Sequence, residues 1–102
     1  MKLDNVLKHV ISVAKKFSSV EKIILFGSRS KGDFHGKSDY DLAFLWKEKK
    51  GQYWGEFSEI VREKNPTLYS FDLVRLDLAG QDLKNKIDTE GIIIYEKGRT
   101  KL

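Results

Sequence analysis

Apolar residues recur along this chain first at helical and then at strand spacing. Val6, Val10, Ile11, Val13, Ala14 and Phe17 fall on one side of a helix, with Lys8, Lys15 and Lys16 mostly on the other. The pattern predicts a helix capped by Asp4 or Asn5 and running to about Phe17, with Ser18-Ser19 ending it. Glu21 to Phe26 is short, β-rich and stopped by Gly27, which predicts a buried strand. Ser28 to Lys37 is polar and glycine-containing, and predicts a turn, a short helix and a loop. Asp39 to Trp46 predicts a second strand, and Lys47 to Gly51 a charged turn. Tyr53, Phe57, Ile60 and Val61 mark a helix from Gln52 to about Lys64, ending before Asn65-Pro66. Leu68 to Leu76 predicts a third strand. Asp77 to Thr89 predicts another helix, with Leu78, Leu83 and Ile87 inward, Asp77 and Asp82 as capping acids, and Gly91 past its end. Ile92 to Tyr95 is a last strand, and Glu96 to Leu102 a frayed basic tail. This order predicts an α/β (α+β) fold, a sheet with helices packed on it.

Composition narrows the picture. The 102 residues suit a single domain, residues 1–102. No repeat, linker or low-complexity tract divides them. No apolar run approaches the roughly 18–20 residues that cross a bilayer, so no membrane role is expected. The N-terminal segment lacks a signal-peptide pattern, and the chain has no cysteine. Disulfides and cysteine-based metal sites are excluded, and a cytoplasmic location is the simplest expectation. The net charge of +4 fits a polyphosphate ligand, RNA or an acidic partner, and equally a surface with a small excess of lysine.

Two local patterns carry candidate chemistry. A strand ending in Gly27-Ser28 and turning into a helix presents free backbone N–H groups to an anion. Glycine permits close approach, Ser28 adds a hydroxyl, and Arg29 and Lys31 add positive charge. The competing reading is a turn with no ligand. Asp39 and Asp41 are two apart, so on a strand both side chains leave one face, with Cα atoms roughly 6–7 Å apart. Such carboxylates suit hard cations such as Mg²⁺. Tyr40 and Leu42 then face the core. Aspartate is disfavoured in strands, so two at the start of the apolar run Leu42 to Trp46 call for compensation, and a metal supplies it. The alternative is a pair of solvated acids at the strand's mouth. Asp72 repeats the theme inside Ser70 to Val74. If its strand lies beside the second one, three carboxylates fit a two-metal centre for in-line displacement at phosphorus, with Asp72 able to accept a proton. Otherwise Asp72 is a solvated edge-strand acid.

Together these residues resemble a family. Gly27-Ser28, ten intervening residues, Asp39-Tyr40-Asp41 and a later strand aspartate, Asp72, are similar to the DNA polymerase β-like nucleotidyltransferase superfamily. Phe26 to Gly32 and Ser38 to Ala43, with Phe71 to Val74, Ile87 to Gly91 and Ile92 to Tyr95, resemble its small MNT branch, the minimal nucleotidyltransferases. The match spans roughly Glu21 to Tyr95. The resemblance implies a nucleotidyltransferase fold with a mixed sheet of about four strands flanked by helices. It implies Mg²⁺-dependent transfer of a nucleotidyl group, usually AMP from ATP. Gly27 and Ser28 would hold the β- and γ-phosphates, with Arg29 neutralising charge, and Asp39, Asp41 and Asp72 would hold two Mg²⁺ ions. Members of the branch pair with a helical HEPN toxin and act as its antitoxin, in some cases by adenylylating a tyrosine on it. Tyr40 stands where the family usually has an aliphatic residue.

Other residues divide between chemistry and structure. Arg29 could instead pair with Asp33. Lys37 could reach a phosphate, but reads more simply as a solvated lysine, as His35 reads as a lone loop histidine. Tyr53 and Trp54 read as core or interface, and Lys47 to Lys50 as a solvated turn. Three functions compete: an AMP transferase acting on a partner toxin, a binding module that silences the toxin by occlusion, and a basic RNA-binding domain supported by charge alone. The small size points to an acceptor surface on another protein or a second copy, and leaves a small-molecule acceptor such as an aminoglycoside open.

Overall fold

The computed structural model describes residues 3–32, 39–63 and 70–98. Helix α1, Asn5–Ala14, starts where predicted, because the Asp4 carboxylate accepts the Leu7 N–H at 2.8 Å. It stops three residues before Phe17. Tight bonds from the Lys16 and Phe17 amides to the Val13 and Ala14 carbonyls turn the chain there. The turn brings Phe17 edge-on to Phe57, with ring centroids 5.3 Å apart.

Strands β1 (Val20–Phe26), β2 (Tyr40–Trp46), β3 (Phe71–Arg75) and β4 (Ile92–Glu96) form one mixed sheet in the order β3-β2-β1-β4. β1 pairs antiparallel with β2 and β4, and β3 runs parallel to β2. Parallel neighbours need a crossover, and the segment containing α3 (Trp54–Glu63) provides it. The short helix α2 spans Ser28–Lys31, and α4 spans Gln81–Glu90.

Strand alternation sorts β2 between the two faces of the sheet. Tyr40, Leu42, Phe44 and Trp46 enter the larger core with α1 and α3, where Leu7, Val10, Phe57 and Val61 are fully shielded. Asp41 and Ala43 face the other way. There Phe26, Ala43 and Ile87 form a smaller core, covered by Leu83 and Ile87 of α4. Among the described residues, no helix is long and apolar enough to cross a membrane.

Several other boundaries differ from the sequence pattern. Gln52 and Tyr53 are not helical: the Gln52 carbonyl accepts the Trp46 indole N–H at 2.9 Å, and Tyr53 has φ +70°. The predicted helix from Asp77 is split, with Leu76–Leu78 as one 3₁₀ turn and α4 starting at Gln81 behind Gly80. The cause is Arg75, whose guanidinium binds Asp77 and the Lys49 carbonyl. Asp77 therefore pairs with the end of its own strand and caps no helix, and Leu78 points outward at 71% exposure. Asp82 lies in the first turn of α4 without a capping bond from its side chain. Glu96 belongs to β4, and Lys97 donates its amide to the Glu21 carbonyl and its ammonium to the Ser18 carbonyl, so ordered structure runs past the expected start of the tail.

Candidate active site

β1 ends at Gly27, where φ +77° and ψ −157° form a combination reached almost only by glycine. The Gly27 carbonyl then accepts the Ser30 hydroxyl at 2.8 Å and the Ser30 amide at 3.2 Å, which winds Ser28 to Lys31 into α2. Gly32, left-handed at φ +79°, closes that turn. A second demand on Gly27 is spatial. A Cβ there would stand 2.2 Å from Oδ2 of Asp41. The carboxylate rests directly against the backbone of the turn, so the two sequence motifs meet at an atomic contact.

Register explains the contact. Asp41 lies opposite Phe26 in the antiparallel pair and opposite Asp72 in the parallel pair. The Tyr40 amide bonds the Ser70 carbonyl at 3.0 Å, carrying the β2–β3 pairing to the mouth of the sheet. Asp39, exposed, directly precedes β2. The structure therefore brings Gly27, Ser28, Asp39, Asp41 and Asp72 to one end of the sheet. Asp72 is an exposed residue of an edge strand and also the register partner of Asp41.

Burial pushes the Asp41 carboxyl above its ordinary value, the nearby Asp72 charge pushes it further, and Lys86 partly offsets both; Asp39 and Glu90 add smaller upward contributions. Lys86 and Glu90 lie one turn apart on α4, and Glu90 forms an ion pair with Lys31 of α2 at 3.4 Å. Neither α4 residue stands out in the sequence, where both read as polar positions of a surface helix. The one signal is an acid in the last turn of α4, the end of a helix that disfavours negative charge. Among the described residues, no three carboxylates or imidazoles already form a metal-ligand cluster. The donor chemistry nonetheless fits Mg²⁺: hard oxygens concentrated at one strand end, with a half-buried member whose charged form is disfavoured until a cation relieves it.

Arg29 is buried, with its guanidinium carbon 3.8 Å from the centroid of the Tyr40 ring. Tyr40 donates its hydroxyl to Asp4 at 2.8 Å and packs on Phe71. Arg29 thus braces the inner side of the acid strand. Trp54 joins Phe44, Trp46 and Phe57 in an aromatic cluster, whereas Tyr53 is 54% exposed. Asp33, His35, Lys37 and Ser38 lie outside the described residues.

The chain matches the family described as polymerase beta, nucleotidyltransferase, over residues 8–100. The chain belongs to this polymerase β nucleotidyltransferase family. Its sheet, helices α2 to α4, most of α1 and the Gly27, Asp41 and Asp72 geometry sit within the matched region. No curated protein matches the sequence. Among solved structures, a chain of the toxin–antitoxin pair MntA–HpeT shares 25% identity, with a TM-score of 0.70 over 95% of this chain and 76% of that one. A chain from a toxin–antitoxin crystallised with AMP-PNP shares 23% identity and a TM-score of 0.67, over 93% of this chain and 76% of that one. A chain from the complex of a tri-AMPylated Shewanella oneidensis HEPN toxin with an MNT antitoxin shares 21% identity and a TM-score of 0.60, over 90% and 73%. These likenesses show the nucleotidyltransferase fold in this chain, as the resemblance implied.

Proposed function

We propose that this chain is a Mg²⁺-dependent nucleotidyltransferase that moves AMP from ATP to a hydroxyl on a partner protein, as the antitoxin of a HEPN-type toxin. The observation that carries the reading is the register that sets Asp41 beside Asp72 while its carboxylate lies against Gly27. A phosphate chain held by the Gly27 backbone and the Ser28 hydroxyl lies next to the acids. Asp39, Asp41 and Asp72 would hold one or two Mg²⁺ ions, which supply charge neutralisation on the phosphates and a lowered pKa for the attacking hydroxyl.

The chain's own residues then have distinct tasks. Asp39 and Asp41 would hold the cation at the strand mouth, where its charge offsets that of the phosphates. Asp72, the most exposed of the β-strand acids, faces the side from which an acceptor arrives and takes the proton of its hydroxyl. The acceptor oxygen bonds to the α-phosphorus as the bond to the bridging oxygen breaks, and pyrophosphate leaves. Arg29 and Tyr40 keep the acid strand rigid from behind. Three structural neighbours come from toxin–antitoxin assemblies, one with an AMPylated toxin and one with an ATP analogue, which supports both the acceptor class and the donor.

The test is transfer of label from α-labelled ATP to the product of the neighbouring gene, which the proposal expects to be a HEPN-type protein. The expected result is a Mg²⁺-dependent adduct on the partner, lost in Asp41→Asn. Absence of label, together with full neutralisation of the toxin by Asp39→Asn and Asp41→Asn, would replace the enzyme reading with occlusion.

A further inference from the structure

The Lys31–Glu90 ion pair joins two elements that are far apart in sequence. Lys31 is the last residue of α2, which begins at Ser28; Glu90 is the last residue of α4. Three observations set Glu90 apart from an ordinary surface acid. First, its side chain is only 19% exposed, and among the described residues its second oxygen, Oε1, is buried without a hydrogen-bond partner. Burying carboxylate oxygen so incompletely satisfied is unfavourable. Second, it sits at the helix end where the dipole is negative, and the last turn of α4 has no basic residue to offset it. The compensating charge comes from α2. Third, the next residue fixes its place. A Cβ at Gly91 would stand 2.4 Å from the Ile87 carbonyl and 2.5 Å from Cγ2 of Ile24, so only glycine lets the end of α4 seat this closely on β1.

We propose that Glu90 is a positioning residue: through Lys31 it latches α2 to the end of α4 and so holds the Gly27-Ser28 turn in place beside Asp41. The proposal rests on the nucleotide-binding reading above and extends it to a residue outside the three-aspartate motif. Besides the latch, α2 is held by its own short-range bonds to the Gly27 carbonyl and by the buried Arg29 on the Tyr40 ring, near the start of the helix; the ion pair holds its last residue. A four-residue helix has little cooperativity of its own to keep those bonds closed. The Gly27 backbone is also the surface on which the Asp41 carboxylate rests, so freeing the turn frees the carboxylate.

The experiment has two arms, using Glu90→Gln, Lys31→Met, their double variant and the conservative Lys31→Arg. The first arm needs no nucleotide: amide hydrogen exchange at Ser30 and Lys31. Each neutral single variant should raise exchange there by about threefold to fivefold, the effect of an ion pair of this exposure. The double variant should add nothing further, because one broken partner already opens the latch. Lys31→Arg should retain protection. The second arm is the dissociation constant of MgATP, measured well below the thermal midpoint and expected to rise by a similar factor in both singles, with the midpoint of the apo protein falling by no more than about 3–8 °C. Unaltered exchange in both singles, or effects that sum in the double variant, overturns the latch. A wild-type chain that binds no MgATP removes the nucleotide reading, and the exchange arm still decides whether Glu90 holds α2.

Discussion

Gly27→Ala tests the link between the two halves of the site. Two costs arise at once. The backbone at φ +77° and ψ −157° is strained for any residue with a Cβ, by about 1–3 kcal/mol. The new methyl group would also stand 2.2 Å from Asp41 Oδ2 and 3.1 Å from its Cγ, so the carboxylate must swing away. For a domain near this size, each kcal/mol lowers the midpoint of thermal unfolding by about 4–8 °C. The backbone cost alone therefore predicts a fall of roughly 5–20 °C by circular dichroism. The displaced carboxylate predicts a loss of AMP transfer well beyond what the unfolded fraction explains, since a misplacement of about 1 Å at a reacting centre costs on the order of 100-fold. A cycle separates the causes. In an Asp41→Ala background the contacts at 2.2 and 3.1 Å are gone and only the Cβ at 3.3 Å remains, so Gly27→Ala should then cost little beyond the backbone part. An equal loss of stability in both backgrounds would refute the claim that the glycine is required by the carboxylate, and an unchanged midpoint in either would refute the strain.

Asp41→Asn should raise stability at neutral pH in chelator. The Asp41 pKa is raised above 3.8, so the folded state holds its proton more tightly than the unfolded state; the stability it contributes is full at acid pH and is lost as pH rises through the raised value. Urea titrations at pH 3.5 and 7 should show the variant overtaking the wild type on the alkaline side and Mg²⁺ narrowing the gap; a variant weaker than wild type at pH 7 in chelator contradicts the repulsion. Phe57→Ala removes a fully buried ring that touches Phe17, Phe44, Trp46 and Trp54, and should cost about 3–5 kcal/mol in chemical denaturation, enough to leave a domain of this size only marginally folded. Tyr40→Phe loses the bond to Asp4 and should cost about 1 kcal/mol, seen as a modest fall in the thermal midpoint with transfer activity largely kept.

Much of the fold was written locally. Strands β1, β2 and β4 announce themselves as short apolar runs, and α1 as a capped apolar stripe. Gly27-Ser28, Asp39, Asp41 and Asp72 were also readable, because each is unusual where it stands: a glycine ending a strand, or an acid inside an apolar run. What could not be read is set by distant partners. Leu78 fits the helical spacing of α4, yet the Arg75 fork on Asp77 and the Lys49 carbonyl interrupts the helix there. Arg29 belongs to the phosphate motif by position, and only the packed core shows it lying on Tyr40. Lys86 carries no local mark, and Glu90 only its place at a helix end that disfavours negative charge, since their significance comes from α4 crossing the face of the sheet on which the acids stand.

Tyr40 gives the site an observer of its own. Its ring lies between the two acids in sequence but on the shielded side of the strand, beneath the Arg29 guanidinium and against Phe71, with its hydroxyl on the carboxylate that caps α1. Ring resonances in such a place are displaced from those of exposed tyrosines by the neighbouring Phe71 ring and Arg29 charge, and are sensitive to small shifts of the strand. Selective labelling of tyrosine rings would therefore report cation and nucleotide arrival at Asp39 and Asp41 by magnetic resonance, without a foreign group anywhere near the chemistry.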